Sequence, residues 1–141
     1  MIGNLPEYFE SEQRYYLDSI SYNRIDKEEQ VQNYSLNCID AIEVSVNGAI
    51  VKLTVKRSLK FEPEELFDLS VSYGAILRLK NDRIDEYNWS KINLAAEFQE
   101  NGQFVLGNLM SRISLLIAEI TSAYGQTPIV LAPAVVPKNQ E

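Results

Sequence analysis

The 141-residue chain carries 13 Lys and Arg against 20 Asp and Glu, a formal net charge of −7, and it has no histidine. That balance argues against a nucleic-acid binder, whose affinity rests on clustered Lys and Arg. The lack of imidazole removes Ser-His and Cys-His catalysis and the usual nitrogen ligand of zinc. Hydrophobic residues at 45% and charged residues at 23% suit one folded unit, so residues 1–141 read as a single domain with 1–12 and 138–141 flexible. The lone Cys38 cannot form an internal disulfide. The opening MIGNLPEYFESEQRYY has acids where a signal peptide needs positive charge, and no stretch approaches the ~18 apolar residues of a membrane span. The expectation is a cytoplasmic protein with no membrane insertion.

Taken in chain order, the first element is a strand over 15–25, YYLDSISYNRI, whose alternation changes face near Asp18 or Ser19 and so predicts a bulge there. The polar run from Asp26 to Asn33 holds one apolar residue, Val31, and reads as a connection. YSLNCIDAI opens the next strand, where Cys38 reads as a small core residue. Asn47-Gly48 suits a type I′ hairpin. That loop sets Val46 against Ala49, Val44 against Val51 and Ile42 against Leu53 on one face, with Glu43 against Lys52 on the other.

FEPEE supplies the next turn, and Phe67, Leu69, Val71 and Tyr73 alternate with polar residues in a fourth strand that Gly74 is expected to relax or bulge. Ser90 is a candidate cap for a short helix through Phe98. From Phe104 to Tyr124 one apolar stripe, Leu106, Leu109, Met110, Ile113, Leu116, Ile117 and Ile120, repeats with helical period. Gly125 is placed to cap that helix and Pro128 to end it. Leu115 and Ala118 widen the stripe beyond what one sheet needs, which points to a second buried side, against another subunit. TPIVLAPAVVP then runs extended.

The chemistry-bearing residues form no reactive set. Glu62, Glu64, Glu65 and Asp68 fit no EF-hand spacing and read as a solvated turn. Asp82, Asp85 and Glu86 would need a cleft to shift one pKa. There is no GxSxG, P-loop or GxGxxG. No catalytic residue, metal site or cofactor is therefore expected, and the chain reads as a non-enzyme. Tyr8, Tyr15, Tyr16 and Tyr22 fit either a contact surface or half-buried strand positions.

AIVKLTVKRSL, ELFDLSVSYGAILRL, the long helix and SAYGQTPIVLAP, in that order, resemble the SecB export-chaperone family, over about residues 15–137 in topology. The resemblance implies an α+β fold, a four-stranded antiparallel sheet followed by a long helix packed on one face, and a homotetramer built as a dimer of dimers with the helices between. It implies an ATP-independent holdase that binds unfolded polypeptides in apolar grooves and, in acidic members, passes them to the SecA motor. Groove candidates carried over are Tyr34, Leu36, Ile113, Ile120, Leu131 and Val135; Asp18, Glu43 and Asp68 would form an acidic docking face. The family continues past LAP into another helix and a docking tail, whereas this sequence ends at Glu141. It therefore resembles a shortened member. The alternative is a dedicated interaction protein: an antitoxin-specific chaperone of the family's second branch, or a prophage or defence protein with one partner.

Overall fold

Alternation of period two in the first half and 3.6 in the second sorts the chain into a sheet and a helical layer. The computed structural model describes residues 2–25, 35–63, 66–123 and 128–136. Strands β1 (Arg14–Arg24), β2 (Ser35–Asn47), β3 (Ile50–Glu62) and β4 (Phe67–Arg78) precede helices α1 (Leu94–Asn101) and α2 (Gln103–Ser122). They form one antiparallel sheet of order β1-β4-β3-β2. The chain thus leaves one sheet edge at β1 and enters the other at β2. The expected connection over Asp26 to Asn33 lies outside the described residues, as do Tyr34, Glu64, Glu65, Tyr124, Gly125 and 138–141.

One sheet face carries Val51, Leu53, Val55, Leu59, Leu69, Val71, Ala75 and Leu77, all fully buried. Against it α2 sets Val105, Leu106, Leu109, Met110, Ile113 and Ile117. Each such side chain contributes about 1.5–3 kcal/mol by leaving water. α2 has the length and composition of a membrane-crossing helix, yet this stripe is the core of the chain.

Four expectations are corrected in detail. The hairpin loop is Gly48-Ala49 instead of Asn47-Gly48: Asn47 pairs with Ile50 and Gly48 alone has positive φ, 61°. A loop with positive φ at its first central residue only is type II′, for which glycine is the natural residue. Pairings move so that Val46 faces Val51 and Glu43 faces Thr54; every side chain keeps its face, since the register moves by two residues, one full side-chain period. Gly74 makes no bulge and pairs regularly on both sides. A Cβ there would run into the Tyr16 ring, so the glycine makes room for an aromatic lying across it. The expected bulge in β1 does occur, between Leu17 and Ser19.

The short helix begins later than Ser90. Trp89–Lys91 is a 3-10 turn, and Asn93 caps α1 by accepting the Ala96 N–H at 3.2 Å. Residues 2–9 do not hang free. Leu5, Tyr8 and Phe9 are buried, and the Ile2 N–H donates to Glu97 Oε2 at 2.8 Å. Phe9 stands among Trp89, Phe98 and Phe104, while Tyr8 meets Tyr87 and Trp89 edge-on. This aromatic cluster fixes the wall that faces β2.

Candidate functional site

Edge strand β2 turns Leu36, Cys38, Ile42, Val44 and Val46 toward the helical layer, where they remain half-buried. The layer stops short of closing over them. One hollow of about 250 Å³ lies between Val44, Val46 and the segment Trp89 to Ala95, and a second of about 180 Å³ lies between Asp40, Ile42, Asn93, Ala96, Gln99, Val135 and Val136. Both are bordered by Asn93 and Ala95, so they form one groove along the strand. Its wall is stiff, because Trp89 donates its indole N–H to Ile84 O at 2.9 Å and Asn93 is engaged as the α1 cap. Its lining mixes branched apolar side chains with polar groups, a combination that suits an extended chain contacted through both main chain and side chains.

At one end the groove meets an ion pair buried beneath residues 128–136. Arg57 on β3 and Asp40 on β2 are directly opposite, 1% and 3% exposed. Arg57 Nε and Nη2 donate to the two Asp40 oxygens, each at 2.8 Å. Nη1 donates to Ser114 Oγ at 3.3 Å and Ala132 O at 2.9 Å, and Nη2 also donates to Ala134 O at 2.8 Å. All five N–H donors of the guanidinium are thereby satisfied. The Val136 N–H donates to Asp40 Oδ2 at 2.7 Å, and the Ile129 N–H to Thr121 Oγ1 at 2.8 Å. Residues 128–136 are thus a strap tied back to both layers. Burial works against the Arg57 charge, but the hydrogen bonds and charge of Asp40 outweigh it and hold the pKa above its ordinary value. Nearby, burial pushes the Cys38 thiol up, opposed by the Arg57 charge.

The groove candidates fall in several places. Leu36 is half-buried on β2, Ile120 half-buried on α2, and Leu131 and Val135 half-buried on the strap. Ile113 is fully buried beneath α2, beneath any surface that a bound chain would touch. Tyr34 lies outside the described residues. Asp18, Glu43 and Asp68 share the sheet face away from the helices but are spread over it: Asp18 and Glu43 stand on opposite edge strands and Asp68 pairs with Asn23 further along β1, while Asp18 accepts the Ser72 hydroxyl at 2.8 Å. Lys52, Lys56 and Lys60 alternate along β3 on that same face, among Ser58, Ser70 and Ser72, so its charges are of both signs. Among the described residues no three His, Cys, Asp or Glu side chains are grouped to hold a metal ion. The Arg57 and Asp40 pair was missed by sequence reasoning. Its signal was parity: both residues stand at positions of the apolar face.

The remaining surface feature is the opposite edge. On β1, Leu17, Ile20 and Tyr22 are 48%, 46% and 41% exposed on the helix side, and Leu115 of α2 is 63% exposed. A shallow hollow along α2 is lined by Gly107, Asn108, Ser111, Arg112 and Leu115.

A four-stranded antiparallel sheet with one long helix across it and a groove beside an edge strand defines an α+β protein. No protein-family model and no curated protein sequence matches the chain. Among solved structures, a SecB-like chaperone of Mycobacterium tuberculosis in complex with an antitoxin peptide superimposes with a TM-score of 0.65 at 13% identity, covering 91% of this chain and 92% of that one. The chain has the SecB-like fold. A protein of unknown function from Streptococcus agalactiae is similar at a TM-score of 0.47 and 12% identity over 88% of this chain and 98% of that one, a level that carries no argument.

Proposed function

We propose that this protein is a non-enzymatic, ATP-independent holdase of the cytoplasm that binds unfolded or non-native polypeptides in the groove along β2. The observation that carries the reading is a stiff-walled groove of mixed polar and apolar lining beside β2, which among the described residues pairs on one side only, on a fold shared with a chaperone solved holding a peptide. An extended client would lie against Ile42, Val44 and Val46 and continue past Leu36, Ile120, Leu131, Val135 and Tyr34, with Ile113 supporting from below. Many modest contacts would supply the affinity, through apolar burial and main-chain pairing along the strand.

The chain would act as a dimer of dimers, joined through the exposed residues of β1 and through the outer side of α2 around Leu115. Asp18, Glu43 and Asp68 are proposed as the docking face for a basic partner such as the SecA motor in protein export. A dedicated antitoxin client is the second reading, favoured by the antitoxin peptide held in the M. tuberculosis structure. The test is light scattering from a chemically unfolded protein diluted into buffer without nucleotide. Suppression at stoichiometric chaperone supports a general holdase. Failure by the folded protein leaves the dedicated reading.

A further inference from the structure

Ile129, Leu131 and Val135 pack the strap against the core, but at the ion pair it is gripped through its main chain. At the ion pair only the Ala132 and Ala134 carbonyls and the Val136 N–H are engaged, and the side chains of 132–134 face solvent. Such a grip reads an extended backbone and is indifferent to side chains. It also resists standing empty. If the strap left with nothing in its place, the guanidinium would lose two carbonyl acceptors and Asp40 Oδ2, still held by Arg57 Nη2, would lose one donor, with water as the only replacement. Replacement of one extended chain by another avoids that cost. The position favours such an exchange, because Val135 and Val136 line the groove beside Asp40 and Ile42.

We infer that the buried Arg57 and Asp40 pair is a main-chain binding site for an extended polypeptide segment, and that residues 128–136 are its resident occupant, displaced when a client enters the groove. The inference rests on the holdase reading above and specifies how its site is regulated: the strap competes with the client and lowers its apparent affinity.

Two variants loosen the strap, Val136→Pro where it lines the groove and Thr121→Val away from it. Val136→Pro removes the N–H given to Asp40, and Thr121→Val removes the acceptor of the Ile129 N–H. A fluorescently labelled, reduced and carboxymethylated model protein is titrated with the full chain and with each variant. Each variant should bind it roughly three- to tenfold more tightly, the effect of about one hydrogen bond. In the unaltered chain, saturation with the same protein should speed amide exchange over 128–136. Unchanged or weaker binding by both variants with wild-type circular dichroism overturns the inference, as does retained protection of the strap at saturation, and both outcomes leave the holdase reading standing. If the unaltered chain binds no unfolded protein at all, the holdase reading fails and the inference falls with it.

Discussion

The two edges of the sheet differ although they belong to one layer under one helix. Among the described residues β1 is the more open: Arg112 of α2 covers Tyr15, but α2 lies mainly over β4 and β3, and Leu17, Ile20 and Tyr22 on the helix side are 48%, 46% and 41% exposed. β2 is walled by the segment from Trp89 to Gln99 and by the strap, with hollows between. An open edge with apolar side chains, bulged between Leu17 and Ser19, suits side-chain packing against another copy of itself, whereas a walled edge admits one extended strand and little else. What distinguishes them among the described residues is the chain that follows the sheet, whose segments 89–99 and 128–136 pack beside β2.

The largest effect should come at the walled edge. Arg57→Met leaves Asp40 buried and unpaired and should cost about 3–5 kcal/mol in urea unfolding. Replacing both partners, Arg57→Met with Asp40→Leu, should recover most of that loss while freeing the strap. At the more open edge, Leu17→Asp with Ile20→Asp should lower the mass seen by light scattering at least twofold while circular dichroism stays unchanged; an unaltered mass would break the contrast between the edges. Gly74→Ala should cost about 1 kcal/mol by driving a methyl group into the Tyr16 ring, and adding Tyr16→Ala should remove the penalty. In the groove, Val44→Ala should weaken binding of an unfolded client less than about threefold, because no single contact dominates such a site.

The smallest effect concerns Cys38. Burial raises its thiol pKa, so the protonated form persists to higher pH than in the unfolded chain. Labelling by a thiol reagent at pH 8 should be roughly tenfold slower than in urea. The stability tied to this group is fully present below the unfolded pKa of about 8.5 and is lost as pH rises through the higher folded value.

Much of the architecture was legible because it follows from period and parity. Alternation in 50–61 and 67–79 fixed both faces of the central strands, and the stripe from Leu106 to Ile120 fixed α2. Chain order and the bulge near Asp18 were legible too. The hairpin register was less so: Asn47-Gly48 and Gly48-Ala49 are both good loops, and the choice between them changes partners without changing faces. That small slip hid the ion pair, because the expected register sets Asp40 against Val55, whereas the observed one sets it against Arg57. A charged residue on an apolar face was the available signal. The groove itself needs the packing of 84–101 and of 128–136 against β2, long-range contacts that no local pattern encodes. Asn93 capped α1 where Ser90 was expected, because the 3-10 turn at Trp89–Lys91 delays the helix.

Amide hydrogen exchange of the full chain, with and without a saturating unfolded model protein, tests the groove most directly. The account predicts added protection in β2 over 35–47 and in 93–96, with β1 over 14–24 unchanged. Protection confined to β1, or none at β2 while the client is bound, would contradict it.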